Sequence, residues 1–344
     1  MFYSNLLEKQ SPENDLYISQ RIRNDSIPME IMPFRNDMKL TEVMSQQKFT
    51  LSAEIIPPRN GSEQAKVMKQ IESLIQAGAQ FLAVTKGAGG SLRGGSLPIA
   101  QAIKERFSVP CIAHFTCRDL TPPEVENQLM DHHYFGIRNI LALRGDPPDG
   151  QPDWKPREGG YNYAYQLIEQ IRNLNQGNYL QRAGGPPASG SEQTRFCIGA
   201  AAYPDFPDDR NRIEYFKLKV EAGAEFGITD MLFDPDSYGR FVETCSKNGV
   251  KIPILPGTRF LKTKSQAVRM ATKFKVKIPN STLNSLPELD GPEAVEVGLE
   301  LFYRLTEKLK ALGAPGVHLY VISDTEGASH ALRRLATCVK QGKE

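Results

Sequence analysis

A single carboxylate, Glu54, stands inside the run SAEIIPPR (52–59), a β-type stretch that two prolines bring to a stop. A carboxylate buried without a cation costs several kcal/mol and tends to keep its proton. The position therefore reads either as a wet face or as a working acid. Other polar residues fall near the ends of short apolar runs: Thr85 after FLAV, His114 and Thr116 in PCIAHFT, Arg144 and Asp146 in NILALRGD, Tyr203 after CIGAAA, and Asp230 in GITDMLF. Each has an ordinary structural reading: His114 as a satisfied core histidine, Arg144 and Asp146 as a plain ion pair. Gathered at the ends of successive strands, they point to a site.

The elements that must position them repeat with a clear rhythm. Eight β-rich runs are expected at 49–56, 81–87, 110–116, 139–145, 197–203, 227–233, 252–257 and 317–323. Between them lie segments with helical spacing at 62–79, 96–107, 121–135, 161–176, 210–223, 235–248, 264–274 and 325–339, the first with Ser62 as N-cap and Gly78 as terminator. Strand and helix alternating eight times is the pattern of an α/β protein built as a (β/α)8 TIM barrel. A doubly wound sheet calls for a Gly-x-Gly-x-x-Gly turn, and the cluster KGAGGSLRGGS (86–96) lacks that spacing. A Gly/Pro/Ser-rich loop (177–193) and an extra helical segment (291–312) read as barrel insertions. Residues 1–48 carry no steady period and read as an N-terminal extension, partly flexible or helical, ahead of a barrel spanning 49–344.

In a barrel of this kind chemistry sits at the C-terminal ends of the strands. The two-residue strand period puts Ser52, Glu54 and Ile56 on one face, and Ile140, Ala142, Arg144 and Asp146 on another. Composition narrows the partners. The 42 basic and 40 acidic residues are well mixed, with a formal net charge of +2, and no basic stripe marks a nucleic-acid surface. No run reaches the roughly 18 apolar residues of a membrane span, and no secretory leader is evident, so a cytoplasmic protein is expected. The five cysteines are scattered singly, which favours reduced thiols over disulfides or a metal centre.

The motifs SAEIIPPR, FLAVTKGAGG, IAHFTCRD, GIRNILALRGDPP, AAYPD and KLKVEAGAEFGIT, with Phe233-Asp234, occur in that order and resemble the methylenetetrahydrofolate reductase family over about residues 49–325. The NQG…TRFCIGAAAYPD segment most resembles versions akin to those fused to a homocysteine methyltransferase domain. The resemblance implies a flavoprotein of one-carbon metabolism and methionine biosynthesis. Its expected reaction is reduction of 5,10-methylenetetrahydrofolate to 5-methyltetrahydrofolate, with FAD as cofactor and NADH or NADPH as hydride donor. It implies Glu54 as the acid that protonates the departing amine, and Asp146 as the carboxylate beside flavin and pterin. It further implies Thr85, His114, Arg144, Asp146, Tyr163, Tyr203, Lys219 and Ala224 as flavin contacts. Glu54, Asp146, Asp230 and Arg259 are the expected folate-side residues, with no metal.

The chain also departs from the family pattern. Asp230 replaces a glutamine after strand six, PGTRFLKTK (256–264) brings in Arg259, and Lys264 stands where the family has an aromatic. Strands six and seven are barrel neighbours, so Asp230 and Arg259 are expected to pair at the mouth. These departures leave two alternatives open: a flavin-binding relative fed by a partner protein or acting on another pteridine, and a non-catalytic folate- or flavin-binding subunit with the extension as its docking arm. A homo-oligomer is also left open.

Overall fold

Eight parallel strands close on themselves in sequence order, β1 through β8, to form a barrel. The strands are β1 Thr50–Ile55, β2 Phe81–Val84, β3 Cys111–Thr116, β4 Asn139–Leu143, β5 Cys197–Ala202, β6 Phe226–Met231, β7 Ile254–Thr258 and β8 Gly316–Tyr320. This computed structural model describes residues 34–58, 61–87, 94–148, 150–151, 153–184 and 188–341. The expectations for residues 1–33, and for most of the 86–96 glycine cluster, fall outside them. Residues 1–34 and 35–344 form separate units, and the barrel belongs to the second.

The helices are α1 Leu40–Gln46, α2 Gln64–Gln76, α3 Ser96–Phe107, α4 Pro122–Tyr134, α5 Ala164–Asn175, α6 Asp209–Ala222, α7 Pro235–Lys247, α8 Lys264–Phe274, α9 Asn280–Ser285, α10 Pro292–Ala311 and α11 Thr325–Gln341. The strands read as near-continuous apolar runs because both of their faces are covered. Local chemistry sets several helix starts. In α4, Pro122 occupies the first turn, and Thr121 and Glu124 form a reciprocal capping box. In α7, the Asp234 carboxylate caps Asp236 N at 3.1 Å. The expected Ser62 cap is a correction: Glu63 is the N-cap of α2, at φ 55°, and no side chain caps that end. Gly78 does follow the helix end, with φ 109° and a Cβ position only 2.8 Å from Ala336 Cβ.

Apolar side chains fill two layers. The larger lies between the strands and the outer helices. The smaller fills the lower barrel interior with Phe81, Ile112, Leu141, Cys197, Phe226 and Leu255. Helix α1 closes that end, burying Leu40, Val43 and Met44 against this inner layer, while Leu40 N donates to Asn139 Oδ1 at 2.7 Å. Asp37 joins the plug by accepting from Cys111 N at 2.9 Å. Asn139 is the polar residue of this floor, tied to Leu40, Met38 and Asp37 of the plug.

Candidate active site

Register places the key residues in layers. Ser52 lies opposite His318, and Glu54 opposite Tyr320, across the β1–β8 pair. In the lower polar layer Ser52 Oγ and His318 Nδ1 are 2.8 Å apart, and the His318 ring stacks on Phe81. One layer higher, Glu54 Oε2 lies 3.5 Å from His114 Nε2, and both side chains are buried. Burial pushes Glu54 up to about 8 and His114 down to about 4. Between those values both groups are neutral, so the contact joins a carboxylic acid to an imidazole and is no ion pair.

Above them opens a cavity of about 630 Å³ at the C-terminal ends of the strands. Ten of the residues singled out in the sequence line it: Glu54, Thr85, His114, Thr116, Arg144, Asp146, Tyr163, Tyr203, Lys219 and Asp230. Arg144 and Asp146 form no ion pair among the described residues; Arg144 Nε turns to Gly145 O at 3.2 Å, and Arg118 donates to the Asp146 carbonyl at 2.7 Å. Lys219 donates to Ala201 O at 2.8 Å beside the Tyr203 ring, and burial brings its ammonium down to about 8. The Tyr203 phenol is pushed up to about 12 by burial and by the nearby Asp230 and Asp146. Tyr163 stacks between Tyr165 and Tyr215, with ring centroids 5.3 and 5.8 Å apart.

Asp230 owes its place to an irregularity. The β6–β7 register shifts between Ile228 and Met231, and the chain is pinned there by Gly257 N donating to Thr229 Oγ1 at 2.8 Å and Tyr320 Oη donating to Thr229 O at 2.6 Å. Such bulges re-aim side chains at barrel rims. Burial, then Asp205, pushes Asp230 up to about 7.

Two residues fall outside the cavity. Ala224 is buried in the outer layer at the end of α6. Arg259 does not meet Asp230: β7 ends at Thr258, and Arg259 lines a separate cavity of about 30 Å³ with Phe233, Leu261 and Phe302. The carboxylate that acts on it is Asp324, and no ion pair joins Arg259 to Asp230 among the described residues, so the expected pair is not formed. Lys264 turns to the surface and pairs with Glu288 at 2.9 Å.

The sequence reading missed Lys86 and Tyr320. Lys86 lines the same cavity, donates to Gln128 at 2.8 Å and is lowered to about 8 by burial. The two-residue period of VHLYVIS could have flagged Tyr320 as an inward neighbour of His318. Lys86, one residue past the visible alternation, left no such signal.

A closed (β/α)8 barrel with a protonated acid at the floor of a wide C-terminal cavity has the architecture of a barrel enzyme. Its sequence is narrower still. The pattern of the methylenetetrahydrofolate reductase family matches residues 39–336, and the chain belongs to that family. It is 33% identical over 297 residues to methylenetetrahydrofolate reductase 1 of Schizosaccharomyces pombe, covering 84% of this chain and 46% of that one. Similarity to methylenetetrahydrofolate reductase (NADH) 1 of Arabidopsis thaliana is 31%, covering 86% and 50%. The 5,10-methylenetetrahydrofolate reductase of Escherichia coli is 29% identical, covering 84% and 91%. The chain thus spans about half the length of the fission-yeast and plant relatives. Among solved structures, a Clostridium thermocellum protein described as binding two copies of 5-methyl-5,6,7,8-tetrahydrofolic acid shares the fold, with TM-score 0.56 and 13% identity over 88% of this chain and all of that one.

Proposed function

We propose that this barrel reduces 5,10-methylenetetrahydrofolate to 5-methyltetrahydrofolate, using bound FAD and hydride from NADH or NADPH. The reading is carried by Glu54: it is a buried carboxyl that holds its proton at neutral pH, beside a neutral imidazole, on the floor of the main cavity. Opening the five-membered ring of the folate requires a proton at its departing amine, and a carboxyl with a value near 8 still holds one at pH 7. His114 supports this by staying uncharged, since a cation at 3.5 Å would stabilise the carboxylate and strip the acid of its proton. Asp146 offers a carboxylate on the opposite wall for the amino edge of a pterin.

The residues fit a flavin. Thr85 Oγ1 and His114 Nε2 are buried with no hydrogen-bond partner. Arg144 and Lys219 offer cationic groups for phosphates, and Tyr163 and Tyr203 offer ring faces. Bound there, the flavin supplies hydride transfer between the nicotinamide donor and the folate. The name of the Arabidopsis relative supports NADH as that donor. The experiment is a visible absorbance spectrum of the purified protein, followed by anaerobic addition of NADH and NADPH in separate cuvettes. Flavin bands that bleach with either donor are expected. A protein that carries no flavin and takes none up would overturn the reading.

A further inference from the structure

Arg259 lies away from the main cavity, and its side chain is buried, only 6% exposed. Both Nε and Nη1 are sealed from solvent with no hydrogen-bond partner, and no ion pair reaches the guanidinium among the described residues. A guanidinium keeps its proton inside a protein, so the group is a buried positive charge. Asp324 acts on it through space, but that carboxylate has other partners: Oδ1 accepts from Gly327 N at 2.9 Å, and Lys262 Nζ stands 4.0 Å from Oδ2. A buried charge left without a close counter-charge is strongly destabilising.

The small cavity that Arg259 lines has the matching character. Arg259 comes from just past β7, Phe233 from just past β6, Thr282 from α9, and Leu301 and Phe302 from α10. Thr282 is the other polar residue of the lining, no carboxylate belongs to it, and it shares no residue with the main cavity. At about 30 Å³ it exceeds the roughly 10–15 Å³ that one water needs. It is too small for a phosphate or an organic acid of any length. We propose that this cavity is a chloride site, with Arg259 supplying the charge and Thr282 a second donor. A water would accept a hydrogen bond but leave the charge uncompensated, whereas chloride does both and tolerates hydrocarbon walls. The inference is independent of the folate reading.

The test is thermal unfolding of the purified protein at fixed ionic strength, with sodium chloride replacing sodium gluconate from about 2 to 200 mM. Gluconate is too large for the cavity, so the series varies the small anion alone. An ion that binds only the folded state raises the melting temperature, here by about 2–4 °C across the series. Arg259→Met removes the charge and keeps a long side chain. Hydrocarbon in place of a buried charge is often neutral or stabilising, so this variant is expected to fold and to lose the chloride response. Bromide behaves as chloride does and scatters X-rays anomalously, so crystals grown with it are expected to show a peak within hydrogen-bond reach of Arg259. A melting temperature that does not respond to chloride, or responds equally in Arg259→Met, would overturn the inference. Bromide-grown crystals with no peak at Arg259 would overturn it as well.

Discussion

Glu54 and His114 are both buried, and each answers burial by giving up its charge, in opposite directions. The consequence for the folate step has a definite sign. The acid form of Glu54 is present below about 8 and lost above it, so the rate of folate reduction is expected to fall about tenfold per pH unit on the alkaline side of that value. Rapid mixing of reduced protein with folate from about pH 6 to 10 checks this; a rate that does not change across that range would remove Glu54 as the proton source. At this scale the site was largely legible, because inward alternation along a strand marks Glu54 and His114 before any coordinates. Arg259 was misread for a physical reason. It has the parity of Leu255 and Gly257, but the strand ends one residue too soon for that parity to hold.

Elements set the precision of the site. Gly257 leaves room that a side chain would take: a Cβ there would meet Thr229 O and the Tyr320 ring, each at 2.5 Å. Gly257→Ala is therefore expected to displace Tyr320, cost about 1–3 kcal/mol in denaturant unfolding, and weaken folate binding together with stability. Unchanged binding would mean that the bulge does not shape the pocket. At the other end, Leu40 is fully buried in the plug, and Leu40→Ala is expected to cost about 3 kcal/mol. A loss below about 1 kcal/mol would show that α1 does not seal the barrel. The eight strands and their helices were legible from periodicity. The plug was not, because α1 is short and its apolar residues answer to the barrel floor more than to a pattern of their own. Short α9, Asn280–Ser285, went unseen for the same reason: it buries no side chain.

The whole molecule carries its ionisable interior as a stability term. Burial lowers His114 and His132 to about 4 and His318 to about 3, below the ordinary value of 6.5. Groups depressed in this way contribute stability that is full above about 6.5 and lost as pH falls through their folded values. The raised carboxyls of Glu54, at about 8, and of Asp37 and Asp230, at about 7, oppose this over the same window, so the prediction is a difference: between about pH 6.5 and 4 the melting temperature of His318→Asn is expected to fall less, or rise more, than that of wild type, and parallel profiles would show that His318 does not contribute to acid unfolding. The central claim, that this barrel reduces folate with Glu54 as its acid, has a direct test in anaerobic stopped-flow of each half-reaction. Wild type and Glu54→Gln are mixed first with NADH, then in reduced form with 5,10-methylenetetrahydrofolate. Similar flavin reduction is expected in both proteins, with reoxidation by folate slowed by two or more orders of magnitude in Glu54→Gln. Reoxidation of Glu54→Gln at the wild-type rate would contradict it.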